Sequence, residues 1–384
     1  MMPTLDLLLS TKPLYYKQID YVRIKDAFEV VKPHIKIPKV IHIVGTNGKG
    51  STGRMISHLL YKSGYSVGHY SSPHILKFNE RFWLNGCDCD DQLLSNAHER
   101  LYNILTKEQS DGLSYFEYTT LLALFVFEKC DYIVLEAGMG GEHDATNVVP
   151  KVISVITPID YDHQAFLGND ISSIASTKLR SIDKRAVIAP QVHQEVLHVA
   201  NKIALQKDAK LYFVNRETSS HIKWINDIAM ENSWGDFLVD NAITACEVLD
   251  VLGLVCDVQN LQTWTMMGRY FSYASNVHID VGHNLLAAKA IDKLLLKPVM
   301  LIYNTLEDKP YRQILELLKP KIKKLLIIKI DSPRALKIEF LENTLKELEI
   351  SYDFFNGIIN AEDEYLVFGS FAVVEAFLKS EEVK

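Results

Sequence analysis

A glycine-rich segment, Gly45-Thr46-Asn47-Gly48-Lys49-Gly50-Ser51, has the residue types needed to bind phosphate groups. Glycines let backbone N–H groups approach phosphate oxygens, and Lys49 adds a positive charge. Ser51, or Thr52 behind it, offers a hydroxyl group to Mg²⁺. The spacing differs from the common pattern G-x-x-x-x-G-K-[ST], because Gly50 separates Lys49 from Ser51. The segment predicts binding of a nucleoside triphosphate; the alternative is a tight turn with a surface lysine.

The flanking residues predict the elements that position this segment. An apolar run at 40–44 is typical of a buried strand, and apolar residues at 55–60 recur at helical spacing. A strand, a glycine-rich turn and a helix would place the helix N-terminus at the phosphates. This arrangement favours the nucleotide-binding interpretation over the simple turn.

Polar residues follow three further predicted strands. Glu136 closes the run 132–136, where a carboxylate near a triphosphate suits Mg²⁺, and a loop cap is the alternative. His163 follows the run 152–156 as a possible ligand or base, although a lone histidine is more often structural. The segment Asp280-Val281-Gly282-His283-Asn284 follows a strand in the second half of the chain. Ligands bind at the strand ends of open α/β sheets, so we predict an active site formed by two domains.

The alternation of strand-like runs with helical patterns predicts an α/β fold with mostly parallel sheets. We expect a first domain at 1–265, a linker at 266–275 and a smaller second α/β domain at 276–384. Within the first domain, weak alternation at 216–237 suggests a small antiparallel insert, and 240–252 is expected to be a helix.

Composition restricts the class of protein. The 384 residues carry a net charge of −7, and no cluster of Lys and Arg with aromatic residues is visible, so nucleic acid is not an expected partner. Five cysteines without paired spacing predict neither a disulfide framework nor a zinc site. No signal peptide or membrane-length apolar run is visible. We therefore expect a cytoplasmic protein without a membrane partner. We also expect a monomer that acts on small molecules.

An ordered set of motifs resembles the folate branch of the Mur ligase superfamily, the dihydrofolate synthase/folylpolyglutamate synthase family. The resemblance extends from Val40 to Phe371. Besides the phosphate segment, its motifs are Tyr70-Ser71-Ser72-Pro73-His74, Asn79-Glu80-Arg81, Tyr115-Phe116-Glu117, Glu136-Ala137-Gly138-Met139-Gly140-Gly141, Asp144-Ala145-Thr146-Asn147, Asp162-His163, Gly268-Arg269, Asp280-Val281-Gly282-His283-Asn284 and Gly369-Ser370-Phe371.

The resemblance implies a P-loop-type Mur ligase ATPase domain followed by a Rossmann-like domain that binds glutamate. It also implies an ATP-dependent amide ligase that adds L-glutamate to dihydropteroate, to tetrahydrofolate or to its polyglutamates. A carboxylate of the pterin or folate would be phosphorylated by MgATP, and the amino group of glutamate would attack the acyl phosphate. Phosphorylation gives a poor acyl donor a good leaving group, and Lys49 and metal ions would neutralise the transferring charge.

The resemblance also implies roles for individual residues. The ATP-binding set is Gly45, Thr46, Asn47, Gly48, Lys49, Gly50, Ser51, Asn241 and Arg269. The ligands of what are expected to be two Mg²⁺ ions are Ser51, Ser72, Glu136, His163 and Lys178. The catalytic set is Lys49, His163, Lys178, Asp280, His283 and Ser370, and the pterin-binding set is Arg23, Tyr115, Phe116 and Asp144.

Lys178 carries the most specific of these expectations. The resemblance implies that it is carbamylated, because an unmodified ammonium group beside Mg²⁺ and Lys49 would face like-charge repulsion. The alternative is a solvated lysine on a predicted helix at 171–182.

Two other functions remain open from the sequence. One is a Mur-type ligase that joins an amino acid to a UDP-linked cell-wall precursor, although it would not share the Ser72-Pro73-His74 and Tyr115-Phe116-Glu117 motifs. The other is a P-loop regulatory ATPase, which would leave Asp280, His283 and Asn284 unexplained.

Overall fold

The apolar runs of the sequence form the strands of two separate sheets. The computed structural model describes residues 2–13, 20 and 22–382. Its contacts divide the chain into a first unit, the described residues of Met1–Met230 with Leu238–Trp264, and a second unit, Glu231–Phe237 with the described residues from Thr265 onward.

The strands of the first unit are β1 (Lys39–Val44), β2 (Val67–Tyr70), β3 (Phe82–Leu84), β4 (Cys87–Asp88), β5 (Tyr132–Glu136), β6 (Ile153–Ile156), β7 (Arg185–Ile188) and β8 (Lys210–Phe213). In the described part of this unit they form one sheet in the order β4-β3-β2-β5-β1-β6-β7-β8. Pairing is parallel from β2 to β8, whereas β3 and β4 pair antiparallel. Residues of β5 and β6 are buried throughout, as expected for central parallel strands covered on both faces.

Helices cover both faces of this sheet. They are α1 (Leu5–Ser10), α2 (Arg23–Val31), α3 (Lys49–Lys62), α4 (Asp91–Ile104), α5 (Lys107–Gly112), α6 (Tyr115–Val126), α7 (Gln164–Leu167), α8 (Ile171–Leu179), α9 (Gln194–Lys207), α10 (Ile222–Glu231) and α11 (Asp236–Val251). One apolar cluster packs α1, α2, α4 and α6 with side chains of β2 and β5, and another packs α8 and α9 with β6 and β7.

The second unit contains β9 (Phe271–Ala274), β10 (Val277–Asp280), β11 (Val299–Tyr303), β12 (Ile322–Ile327), β13 (Tyr352–Phe354) and β14 (Tyr365–Phe368). Its helices beyond Thr265 are α12 (Leu285–Leu294), α13 (Tyr311–Leu318), α14 (Ile338–Glu347) and α15 (Phe371–Glu382). The sheet order is β13-β12-β11-β14-β10-β9, with only β9 antiparallel among the described strands.

The predicted α/β class with mostly parallel sheets is therefore confirmed. The antiparallel insert predicted at 216–237 is wrong, because α10 lies in the middle of that segment and α11 begins at its end. The buried residues of α10, Ile225, Ile228 and Ala229, recur at helical spacing. The segment interpreted as a linker, 266–275, contains β9, which pairs with β10. Within the described residues, no helix has the length and apolar character needed to span a membrane.

Candidate active site

The phosphate-binding segment lies between β1 and α3, as its sequence predicts. Gly48 is the residue before α3 and has φ of 83°, a left-handed conformation that glycine adopts without strain. Gly48 has no side chain with which to cap this end of α3, and the first turn of the helix contains no acidic residue. The positive end of the helix dipole is therefore available to an anion.

Backbone contacts hold this segment against the residues after β6. The N–H groups of Thr46 and Asn47 donate to the carbonyl oxygen of Pro158, over 2.9 and 3.2 Å. The Thr46 hydroxyl also donates to the carbonyl oxygen of Asp160 over 3.0 Å. A Cβ atom on Gly45 would lie only 1.9 Å from Oγ1 of Thr157, so the close approach requires glycine.

Lys49 lies inside the segment and points toward β5. Its ammonium group donates to the carbonyl oxygens of Gly45 and Thr46, over 3.3 and 3.2 Å. Its Nζ atom is 4.0 Å from Oε1 of Glu136, and the two side chains are 15% and 7% exposed. The alternative of a turn with a surface lysine is therefore wrong. The contact follows from the sheet register, because Ile43 on β1 faces Glu136 on β5.

The glycine-rich loop after Glu136 packs directly on α8. A Cβ atom on Gly141 would lie 2.5 Å from the carbonyl oxygen of Lys178, so only glycine allows this approach. The N–H group of Glu142 donates to the carbonyl oxygen of Thr177 over 2.9 Å. These contacts fix the end of α8 beside the phosphate-binding segment.

Lys178 is buried at this position. Only 3% of the residue is exposed, and Nζ donates to the carbonyl oxygen of Gly45 over 2.8 Å. Burial and the neighbouring Lys49 charge lower the pKa of Lys178 to about 7, although Asp162 and Asp144 act in the opposite direction. The alternative of a solvated lysine on the helix surface is therefore wrong.

The other predicted metal ligands lie at the same edge of the sheet. Ser51 is buried in the first turn of α3, and Ser72 follows β2, the neighbour of β5. His163 has φ of 51° at the start of α7, and its Nε2 atom is 3.5 Å from Oδ2 of Asp162. Strand order thus brings these side chains to one edge.

Asn241 approaches the segment from α11. The residue is buried, and a Cβ atom placed on Gly48 would lie 2.7 Å from its Oδ1 atom. Asn241 therefore packs against the turn that begins α3, where the resemblance places an ATP contact.

Three of the four predicted pterin-binding residues meet at the beginning of α6. Arg23 is paired with Glu117, with an N–O distance of 2.7 Å. The ring of Tyr115 lies 5.2 Å from the guanidinium carbon of Arg81. Phe116 stacks on Tyr70 with a centroid distance of 5.8 Å. A Cβ atom on Gly138 would lie 2.8 Å from the Phe116 ring, so this aromatic cluster adjoins the loop after Glu136.

Asp144, the fourth, supports the glycine-rich loop that Phe116 adjoins. Its carboxylate accepts hydrogen bonds from the N–H groups of Met139 and Thr146, both over 2.9 Å, and from the Thr146 hydroxyl. Burial raises the pKa of Asp144, whereas these hydrogen bonds lower it.

The sequence interpretation missed two residues of this edge. His193 Nε2 lies 2.8 Å from Oδ1 of Asp160, and Thr157 sets the close approach of Gly45. His193 follows β7 and Asp160 follows β6, and these strands are parallel neighbours. A prediction of strand order would have placed the pair together.

The second unit gathers its own set of polar residues. The buried Asp280 carboxylate accepts hydrogen bonds from the N–H groups of Tyr270 and Gly282, over 2.9 and 2.7 Å, and burial raises its pKa. Nδ1 of His283 donates to the carbonyl oxygen of Val281 over 3.1 Å.

The residues after β14, the strand beside β10, and Arg269 contribute the rest of this set. Gly369, before Ser370, donates its N–H group to the carbonyl oxygen of Gly282 over 3.1 Å. Asp280 and Phe368 face each other in the parallel pair of β10 and β14. The guanidinium group of Arg269 lies 5.5 Å from the ring of Phe371. Asp280, His283, Ser370 and Arg269 thus lie around the ends of two paired strands.

Comparisons with known proteins agree with this arrangement. The family model of the Mur ligase middle domain matches residues 43–249. The dihydrofolate synthase/folylpolyglutamate synthase of Escherichia coli is 31% identical, with 90% of this chain and 86% of that protein covered. The crystal structure of Helicobacter pylori folylpolyglutamate synthetase is 40% identical, with a TM-score of 0.81 over 99% of this chain and 98% of that one. A bifunctional folylpolyglutamate synthase/dihydrofolate synthase with Mn, AMPPNP and L-glutamate bound is 25% identical, with a TM-score of 0.81 over 99% and 98% of the chains.

Proposed function

The chain belongs to the dihydrofolate synthase/folylpolyglutamate synthase family, and we propose that it uses ATP to join L-glutamate to a pterin or folate carboxylate. The single observation that carries this proposal is the Lys49–Glu136 pair within an uncapped phosphate-binding turn. Two smaller groups, at the start of α6 and at the ends of β10 and β14, provide polar and aromatic side chains for the acid and the amino acid.

The reaction follows from the chemistry of the three substrates. The carboxylate attacks the γ-phosphorus of ATP, the bond to ADP breaks, and an acyl phosphate forms. The amino group of glutamate then attacks the acyl carbon, phosphate leaves, and the amide loses a proton. Lys49 stabilises the charge on the transferring phosphoryl group.

The residues at the sheet edge suit a nucleotide with a divalent cation. Oγ1 of Thr52 is buried without a hydrogen-bond partner in the described part of the chain, one residue after Ser51. Ser51, Ser72 and Glu136 would hold the first Mg²⁺, because hydroxyl and carboxylate oxygens are its preferred ligands. When bound, Mg²⁺ supplies positive charge to the phosphate oxygens. Asn241 and Arg269 are proposed to contact ATP.

We further propose a second Mg²⁺ ion with His163 and a carbamylated Lys178 as ligands. Support comes from the burial of Lys178 and from its pKa of about 7, which leaves much of the amine neutral near pH 7. A neutral amine attacks CO₂, loses a proton and becomes a carbamate anion. This conversion removes the repulsion between Lys178 and Lys49.

The pterin ring is proposed to bind beside Arg23, Tyr115 and Phe116, where aromatic faces and a guanidinium group lie together. Asp144 is proposed to support this site through the loop that it holds. Glutamate is proposed to bind near Asp280, His283 and Ser370.

The alternative activities lack comparable support. The folate-branch motifs and the relatives described above do not fit a ligase of UDP-linked cell-wall precursors. A regulatory ATPase would leave the second-unit polar set without a role. The expectations of a monomer and of a cytoplasmic location stay predictions.

One experiment separates these functions. Phosphate release from ATP is measured with dihydropteroate, with tetrahydrofolate and with a UDP-linked acid in turn, each with and without L-glutamate. We expect release that requires both glutamate and a pterin acid, with the amide product identified by mass. Release that is independent of glutamate, or that responds only to the UDP-linked acid, would overturn the proposal.

A further inference from the structure

One histidine and two cysteines, distant in sequence from the phosphate-binding segment, meet in the first unit. The side-chain donor atoms of His221, Cys246 and Cys256 all lie within 4.8 Å of one another. Cys246 is fully buried, whereas His221 and Cys256 are partly exposed. Both cysteines are free thiols. The donor set is therefore compact and can be reached from solvent.

The local fold explains how the three residues meet. His221 immediately precedes α10, and its carbonyl oxygen accepts a hydrogen bond from the N–H group of Ile225 over 3.0 Å. Cys246 is in the last turns of α11. That helix ends at Val251, and Gly253 two residues later has φ of 73°, the left-handed conformation that reverses the chain after a helix. Cys256 follows this turn.

Asp250 completes the group. It lies one helical turn after Cys246 on α11, and its Oδ2 atom is 2.7 Å from Nε2 of His221. A carboxylate bonded to a ring nitrogen fixes the plane and tautomer of the imidazole, as is common beside metal-binding histidines.

We propose that His221, Cys246 and Cys256 bind a Zn²⁺ ion, with water from the solvent as its fourth ligand and Asp250 as the residue that positions the imidazole. Thiolate and imidazole are the ligands that Zn²⁺ prefers, and two thiolates balance the charge of the ion in a partly buried place. The site would tie the start of α10 and the turn after Gly253 to α11. It uses none of the residues assigned to ATP, pterin or glutamate.

Binding releases protons in a defined ratio. Each thiol loses its proton as its sulfur bonds to the metal, so two protons leave for each Zn²⁺ ion bound.

The test uses the full chain, freed of metal and kept reduced by a reductant without thiols. Zn²⁺ is titrated against a chromophoric chelator, and Co²⁺ is added separately to record its absorption spectrum. We expect one tight Zn²⁺ equivalent per chain, two released protons, a thiolate-to-cobalt charge-transfer band and a higher Tm with Zn²⁺. Mg²⁺, a hard cation, should reproduce none of these effects.

Variants locate the site. Cys256→Ser and His221→Gln alter partly exposed residues and should weaken Zn²⁺ affinity by about 100-fold or more, whereas Asp250→Asn should weaken it by about 10- to 100-fold. Cys87→Ser removes an exposed cysteine outside the cluster and serves as the control. Circular dichroism of each variant checks folding.

The proposal would be overturned by no uptake of Zn²⁺ by the reduced chain, by uptake that survives in Cys256→Ser and His221→Gln, or by loss of uptake in Cys87→Ser alone. Cobalt spectra without a thiolate band would also overturn it.

Discussion

The ammonium group of Lys178 donates a hydrogen bond to the carbonyl oxygen of Gly45 over 2.8 Å. This contact connects the last turn of α8 to the first residue of the phosphate-binding segment. The lysine is buried, and burial disfavours its charged form in the folded state. Stability and chemistry at this position are therefore both tied to the protonation of one amine.

Folding stability should depend on pH through Lys178. Its pKa is about 7 in the folded chain and 10.5 in the reference state, so between these values the unfolded chain binds more protons. The contribution of this group to stability must therefore rise with pH across that window. We expect the free energy of unfolding of the wild type, minus that of Lys178→Met, to rise by up to about 1.4 kcal/mol per pH unit there.

The measurement is denaturant unfolding from pH 7 to about 10, in CO₂-free buffer without Mg²⁺ or nucleotide. Lys184→Met, which removes a lysine with a side chain 73% exposed, is the control. If the difference in unfolding free energy between the wild type and Lys178→Met stays constant or falls as pH rises, the lowered pKa of Lys178 is contradicted.

The carbamate predicted at Lys178 should be directly visible. With carbon-13 bicarbonate, we expect a carbamate resonance that disappears in Lys178→Ala, together with most ligase activity. Lys151 provides the control, because its side chain is only 3% exposed and its pKa is lowered to about 8 by burial. Lys151→Ala should keep the resonance.

An electron-density map with nucleotide and Mg²⁺ bound should show three extra atoms on Nζ of Lys178, and a bare nitrogen would refute this assignment.

Lys49→Ala should abolish ligation while the fold persists. The substitution removes the positive charge within the phosphate-binding segment, and we expect kcat to fall by about 100-fold or more. Lys62→Ala, at the exposed end of the same helix, should retain activity. Glutamate-dependent phosphate release and thermal melting are measured together. Normal melting with near-normal ligation would show that Lys49 does not contact the phosphates.

Glu136→Gln should raise the Mg²⁺ concentration needed for half-maximal ligation. A neutral amide has nearly the same shape but lacks the carboxylate charge, so we expect an increase of about tenfold or more, equivalent to about 1.4 kcal/mol. Glu142→Gln is the control. Glu142 lies in the loop after Glu136, and its Oε2 atom is 3.3 Å from Nη1 of Arg180. Identical Mg²⁺ titrations for Glu136→Gln and the wild type would remove Glu136 from the metal site.

The sequence predicted those parts of the site that local patterns encode. Gly48 and Lys49 could be placed because a strand, a glycine turn and a helix follow one another along the chain. Strand identity and the strand-end position of Glu136 followed from a buried apolar run. These features depend on neighbouring residues, which a single sequence displays.

Contacts between distant segments could not be predicted in this way. The bond from Lys178 to Gly45 depends on Gly141, whose lack of a side chain lets α8 approach the loop. His221 and Cys256 reach Cys246 through α10, where the sequence predicts an antiparallel insert, and through the turn at Gly253. The cysteine spacing gave no signal, because the ligand geometry is created by folding and not by a local motif.

His283→Ala should separate nucleotide binding from ligation. His283 lies at the end of β10, beside Asp280 and near Ser370, where we propose that glutamate binds. We expect ATP affinity to be nearly unchanged while glutamate-dependent product formation falls by about 100-fold, the scale of losing one positioned catalytic group. His278→Ala is a matched control, because this histidine lies within β10 and its ring stacks on Tyr270 with a centroid distance of 4.6 Å. ATP binding is measured by calorimetry, and the product by mass. If ATP affinity collapses while glutamate saturation is unaltered, the histidine serves the nucleotide and the proposed glutamate site must be moved.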